Sequence, residues 1–300
     1  MARPQHDPRT DPDVPQGMSI ELLKDLHLLT RDGQLNADAR RKLKQIRHLV
    51  GLLRPALDDA LARNPEPSIV DCGAGKSYLG ALLYELVLGP AGRGSLTAIE
   101  ARPELSKQAA DRAARFGQER FKVATGAIGQ FISAGRTGEE EADRGSATTR
   151  PNVVTALHAC DTATDDALVL AIANNADHVA VVPCCQAEVA RQLESSRPED
   201  PVLAALFAHP LHRRELGSHL TNVIRALTLE AHGYKVTVTE LVGWEHSAKN
   251  ELIIGKRINR FDLRARETLR GLLERFHVEP TLIRELAARG LDPRAVPTTS

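Results

Sequence analysis

Residues 69–80 read IVDCGAGKSYLG, an apolar run that enters a glycine-rich turn, and the ligand suited to that turn decides the fold. The second half imitates a phosphate-binding P-loop. That loop needs G-x-x-x-x-G-K-[ST], so a glycine should stand five residues before Gly75, where the chain has Val70. What remains is G-x-G, Gly73 and Gly75, after a strand and before residues that start a helix. This is the first turn of a Rossmann-like unit, in which a ligand lies against bare backbone. The third glycine of the dinucleotide fingerprint would fall at Tyr78, whose ring resists close packing of helix on strand.

Asp71 precedes the turn, where a carboxylate repels a pyrophosphate and attracts an ammonium group. S-adenosylmethionine (SAM) carries an ammonium and no phosphate, so these residues favour SAM over NAD or ATP. Residues 94–117, GSLTAIEARPELSKQAADRAARFG, read as a strand ending at Glu100 and then a helix. An acid closing the second strand is placed to accept both ribose hydroxyls of an adenosine, although Glu100 also stands close enough to pair with Arg102 as an ordinary surface acid. Ala127 and Ile128, just past the third strand, are expected to flank the adenine.

The 300 residues carry 39 Lys and Arg against 39 Asp and Glu, a formal net charge of +0. Contact with nucleic acid must then come from a local basic face. No apolar run is long enough to cross a bilayer, and residues 1–17 lack the apolar core of a signal peptide, which predicts a cytoplasmic protein. Cys72, Cys160, Cys184 and Cys185 follow no C-x-x-C pattern and read as reduced, buried thiols. Neighbours on an extended strand point to opposite faces, so Cys184 and Cys185 do not suit one metal ion, and no metal site is expected.

Residues 1–17, rich in Pro, Asp and Arg, are expected to be disordered. A helical lead-in follows over 18–66, with Asn36 as an N-cap and Pro55 kinking or dividing its second helix. Over 67–260, strands at 68–72, 95–100, 121–125, 152–158 and 178–183 alternate with helices, the pattern of a parallel sheet. Residues 135–150 are polar and aperiodic, a surface loop. Strands at 235–244 and 250–257 are joined by EHSAK, too short for a crossover helix, so this pair should be antiparallel. The fold class is a Rossmann-like α/β seven-stranded sheet, mostly parallel with an antiparallel last strand, and 261–300 adds a helical extension with a frayed end.

Ligands of open α/β sheets bind at the carboxyl ends of the strands, near the switch in strand order. With the first, fourth and fifth strands adjacent, the turn at Asp71 to Gly73 meets LHACDTATDD (residues 157–166) and VVPCCQ (residues 181–186). His158, Cys160, Asp161, Pro183, Cys184 and Gln186 should therefore share one pocket with Cys185. Together with HSAKNELIIGKR, these segments resemble the methyltransferase-domain family that includes bacterial SAM-dependent methyltransferases and eukaryotic proteins labelled ribosomal RNA adenine dimethylase domain-containing. The H-x-C-x-x-A-T-D run is also similar to one in tRNA ribose methyltransferases of the acceptor stem. The resemblance spans roughly residues 41–257. It implies a class I fold, SAM as methyl donor and a substrate pocket over 158–161 and 183–186. Ser77 departs from it, since many relatives carry a third glycine there.

Methyl transfer from a sulfonium is an in-line displacement that sometimes needs a base. His158 with Asp161 suits a base and its orienting partner, and His158 equally suits a hydrogen bond to the adenosyl group or backbone. Cys184 or Cys185 suits a covalent nucleophile toward a pyrimidine ring, or simply a packed thiol. Arg40, Lys44 and Arg47 share one helical face, with Arg41, Lys42 and His48 nearby, able to grip RNA phosphates or to stand as a solvated cationic side. His212, Arg213, Arg214, His219 and Arg225 form a second basic group, and Tyr78 and Trp244 are candidates to stack on a planar substrate. The expected function is methylation of RNA, tRNA or rRNA. Methylation of a small molecule or protein side chain, and a non-catalytic SAM-binding module, are the alternatives.

Overall fold

The computed structural model describes residues 8–132, 150–157, 159, 162–183, 187–196, 200–240 and 251–295. Two capped helices lead in. Ser19 Oγ accepts from Leu22 N at 3.2 Å to open α1 (Ile20–Asp25), and Asn36 Oδ1 accepts from Ala39 N at 2.7 Å to open α2 (Ala37–Arg63). Then come β1 (Ser68–Cys72) and α3 (Tyr78–Leu83), which continues through a π-helical turn into α4 (Gly89–Ala91). Next are β2 (Ser95–Glu100), α5 (Pro103–Arg115), β3 (Phe121–Thr125), β4 (Val153–Ala156), α6 (Thr162–Ala173) and β5 (His178–Val181). The chain proceeds through α7 (Glu188–Ser195), α8 (Pro201–Ala205), α9 (Pro210–Ala231), β6 (Tyr234–Glu240) and β7 (Glu251–Arg257), and closes with α10 (Leu263–Phe276) and α11 (Thr281–Ala288).

The seven strands form one sheet in the order β3-β2-β1-β4-β5-β7-β6. β1 to β5 pair in parallel, while β7 lies antiparallel between β5 and β6. This is the expected Rossmann-like sheet, although the connection that predicted the antiparallel pair lies outside the described residues. From β1 the chain steps outward through β2 to β3, then returns to β4 on the other side. The switch point, and the crevice that accompanies it, therefore lies between the carboxyl ends of β1 and β4.

β1, β4 and β5 are buried at every position, as strands covered by helices on both faces must be. Alternate residues serve opposite layers. Val70, Cys72, Val154 and Val179 pack with α6 and with Leu282 and Leu286 of α11, whereas Ile69, Val153 and Ala180 pack with Leu53 and Leu57 of α2 and Leu79 and Leu83 of α3. α10 buries Leu269 and Leu273 against Leu220 and Ile224 of α9. The end expected to fray thus contains α11, seated on the layer that carries α6.

Two other expectations are corrected. Residues 8–17 are packed instead of disordered: Val14 and Met18 are buried with Leu22, Leu23 and Leu43, and Arg40 binds both Asp11 and Asp13. The polar composition of this stretch conceals apolar anchors and acids matched to a cation on α2. Pro55 does not divide α2, which runs unbroken from Ala37 to Arg63. Leu53 and Leu57 are buried on either side of the ring, and Gly51, whose carbonyl loses its helical partner there, is exposed to water.

Candidate functional site

The glycine-rich turn is built from alternating left-handed residues: Gly73 at φ +63°, Gly75 at +57° and Ser77 at +54°. Gly73 is required twice over. Its φ disfavours any side chain, and a Cβ there would stand 3.1 Å from the Cβ of Ala159. The loop after β1 therefore presses on the loop after β4, at the centre of the stretch 158–161. Beside Gly75 the space is open, a Cβ there finding only Arg102 Nη2, at 3.9 Å. Ala74 N donates to Ile99 O at 3.0 Å and Gly75 N to Glu100 Oε2 at 2.7 Å, so the turn is tied to the end of β2.

Two buried acids flank this turn, and their environments differ. Glu100 is 5% exposed, and its Oε1 accepts from Arg102 N at 3.1 Å and Arg102 Nε at 2.8 Å. Burial alone would raise its pKa, but the bonds from Arg102 and the Gly75 N–H outweigh burial and hold it below the usual glutamate range. Asp71 is 3% exposed and accepts a bond from Thr155 Oγ1 at 2.9 Å across the β1–β4 pair. Burial, only partly offset by that hydroxyl, pushes its pKa up to about 7. Cys72, next to it, is 1% exposed, and burial raises its thiol well above the ordinary range, so it is an unreactive core thiol.

The loop after β3 joins the group because Gly126 N donates to Glu100 O at 3.0 Å. Ala127 is exposed there, while Ile128 is buried in the layer of Val70 and Cys72. On the other side of the switch, Val182 N donates to Ala156 O at 3.0 Å, which brings buried Pro183 to the carboxyl edge beside β4. His158, Cys160, Asp161, Cys184, Cys185 and Gln186 lie outside the described residues. Among the described residues no group of three or more His, Cys, Asp or Glu is arranged to hold a metal ion.

The basic faces require correction. Arg40 is committed to Asp11 at 2.6 Å and Asp13 at 2.8 Å, and is not free for phosphate. Lys44, Arg47 and His48 line an open cavity of about 320 Å³, with Arg47 Nη1 also donating to Pro12 O at 2.7 Å. In the second group, Arg225 is 1% exposed and binds Asp165 at 2.7 Å, so it is a core residue. Arg213 and Arg214 pair with Glu194 and Glu215. Tyr78 packs against the apolar cluster of the lead-in and stays half-buried, and Trp244 lies outside the described residues.

Three participants escaped the sequence reading. Thr155, the partner of Asp71, had a signal: it is a polar residue inside the apolar run NVVTAL. Arg112, which reaches the turn from α5, and Asp25, which anchors it from α1, had none, being 87 positions apart in the chain. The geometry suits SAM on its own terms. Gly75 leaves room along the backbone, Glu100 closes β2 beside it, and the buried acid Asp71 lies near the end of β1.

A family profile described as "Methyltransferase domain" matches residues 41–192. No curated protein matches the chain. Among solved structures, a putative methyltransferase, yhhF, from Escherichia coli is 14% identical with a TM-score of 0.41, the match covering 72% of this chain and 86% of that one. An rRNA methylase from Streptococcus thermophilus is 10% identical with a TM-score of 0.39, over 69% of this chain and 95% of that one. Magnesium protoporphyrin IX methyltransferase (ChlM) from Synechocystis PCC 6803, solved with bound SAH, is 13% identical with a TM-score of 0.38, over 80% of this chain and 95% of that one.

Proposed function

The chain belongs to the methyltransferase domain family and is a SAM-dependent enzyme, and we propose that it methylates RNA, a tRNA or an rRNA, at the switch point between β1 and β4. SAM supplies a methyl group on a sulfonium for in-line displacement. In this reading Gly73 and Gly75 let the methionine end approach the backbone, and Asp71, once ionised, holds its ammonium. Glu100 takes the ribose hydroxyls as Arg102 yields Oε1, and Ala127 and Ile128 border the adenine. The packing of Ala159 on Gly73 supports a transfer site formed by its neighbours, His158 as proton acceptor with Asp161 orienting it. Cys160, Pro183, Cys184 and Gln186 would also shape the transfer site.

The observation that carries the RNA assignment is the cavity lined by Lys44, Arg47 and His48. The far end of α2 is pinned at the amino ends of the strands, where Arg63 pairs with Asp177 at 3.0 Å and Asp59 with His178 at 2.7 Å. A rise of about 1.5 Å per residue carries Lys44 and Arg47 roughly 24–28 Å from Arg63, whereas the five residues of β1 span about 17 Å. That distance favours an exposed basic patch toward the carboxyl ends of the strands, the end at which the methyl group would be passed. Cations there neutralise backbone phosphates and steer a polyanion whatever the net charge of the whole chain.

The test supplies SAM with a labelled methyl group to purified protein and to extract from a strain lacking the gene, then counts label in RNA, protein and small-molecule fractions. Label in RNA, abolished by Asp161→Asn, is expected. Label confined to another fraction replaces RNA as substrate.

A further inference from the structure

Ser77 occupies a position where the backbone calls for glycine. Its φ of +54° is the left-handed conformation that side chains resist, yet it caps α3 without any side-chain bond, and its buried Oγ has no hydrogen-bond partner. Something other than Ser77 must hold it there. The Lys76–Ser77 peptide is gripped from both sides: Ser77 N donates to Ala74 O at 2.7 Å, and Arg112 Nη1 donates to Lys76 O at 2.7 Å. Arg112 is itself fixed, because its Nε donates to Asp25 Oδ2 at 2.6 Å and it is only 8% exposed. Asp25 closes α1, so the bridge runs from the N-terminal lead-in through α5 to the glycine-rich turn.

We infer that Arg112, anchored by Asp25, is a positioning residue for the cofactor turn: it holds the strained Lys76–Ser77 peptide so that the turn from Gly73 to Ser77 is preset for SAM. The inference rests on the reading that SAM lies on this turn. It gives the lead-in helices a part in cofactor binding. It also separates Arg112 from Arg115, which binds the other oxygen of Asp25 at 2.6 Å and makes no contact with the turn among the described hydrogen bonds.

The experiment measures SAM affinity by calorimetry on the full chain, and amide hydrogen exchange over residues 73–78 in the free protein. Arg112→Met keeps the apolar stem and removes both bonds, and should weaken SAM about tenfold and speed exchange in the turn. Arg115→Ala should stay within about twofold of the parent, since it loses only an exposed pair. Ser77→Gly removes the strain, so the double variant with Arg112→Met should recover to within about threefold of the parent. Leu28→Ala, in the apolar cluster of the lead-in, serves as a match for lost stability.

The inference is overturned if Arg112→Met binds SAM as the parent does, if it loses no more affinity than Leu28→Ala, or if Ser77→Gly fails to rescue it. Should the parent itself bind no SAM, the cofactor reading fails instead. The exchange data then decide the brace alone: faster exchange over 73–78 in Arg112→Met, absent in Arg115→Ala, sustains it, and equal exchange ends it.

Discussion

The turn after β1 and the basic face of α2 were both read from short motifs, and the structure treats them differently. At the turn, Ala74 and Gly75 are bonded to Ile99 and Glu100 at the end of β2, and Asp71 to Thr155 of β4, so the acids and glycines lie together across neighbouring strands. On α2, Arg40 is taken by Asp11 and Asp13, 29 and 27 positions away, leaving Lys44, Arg47 and His48 around the open cavity. The difference is one of range. A glycine turn takes its dihedrals and first bonds from its own residues and the neighbouring strand, with Arg112 and Asp25 bracing its far end, whereas the strength of a charged surface depends wholly on which distant segment folds over it.

The comparison breaks most readily at Gly73. Gly73→Ala places a side chain at φ +63° and 3.1 Å from Ala159 Cβ, and should cost SAM affinity about a hundredfold and stability about 1–3 kcal/mol, read by calorimetry and thermal unfolding. Glu100→Gln keeps the shape and removes the charge. It should weaken SAM about tenfold, because charged acceptors make the stronger hydrogen bonds.

Asp71 sharpens the contrast through pH. Its folded pKa near 7 stands above the ordinary aspartate value of about 3.9, so between those limits the folded protein holds the extra proton and stability falls as pH rises. Below pH ~4 the penalty is absent, and above pH ~7 it is complete. Asp71→Asn should therefore unfold at higher denaturant than the parent at pH 8, by at most a few kcal/mol, roughly 4 as a ceiling, with the gap closing toward pH 4. The parent should gain SAM affinity from pH 6 to 7.5 as Asp71 ionises, and the same variant should lose that rise.

The smallest effect is expected on α2. Replacing Asp11 and Asp13 together by Asn releases Arg40 and should raise RNA affinity about threefold at low salt, steepening the salt dependence by about one unit in the log–log slope. An unchanged slope would mean that Arg40 faces no phosphate even when free.

How much of the molecule could be read from its sequence follows the same division. The mostly parallel sheet with its antiparallel end was legible because parallel strands alternate with helices, and a connection of a few residues cannot cross a sheet. Glu100 was legible as the acid that closes the second strand, but its burial and its bonds to Gly75 and Arg102 come only from the fold. Residues 8–17 were misread because composition does not reveal that Val14 and Met18 find a cluster. Arg225 was misread because its partner Asp165 lies 60 positions earlier, and only the fold brings α9 against α6. The left-handed backbone at Ser77 left only an indirect mark, the glycine that many members of the resembled family carry there, since serine itself is ordinary elsewhere.

The most direct measurement titrates SAM and then RNA into four proteins: the parent, Gly73→Ala, Glu100→Gln and the double variant Lys44→Glu with Arg47→Glu. Two separate losses are predicted. Gly73→Ala and Glu100→Gln lose SAM and keep RNA, and the α2 variant loses RNA and keeps SAM. SAM binding that survives both changes at the turn would contradict the account, since the cofactor would then lie away from the switch point between β1 and β4.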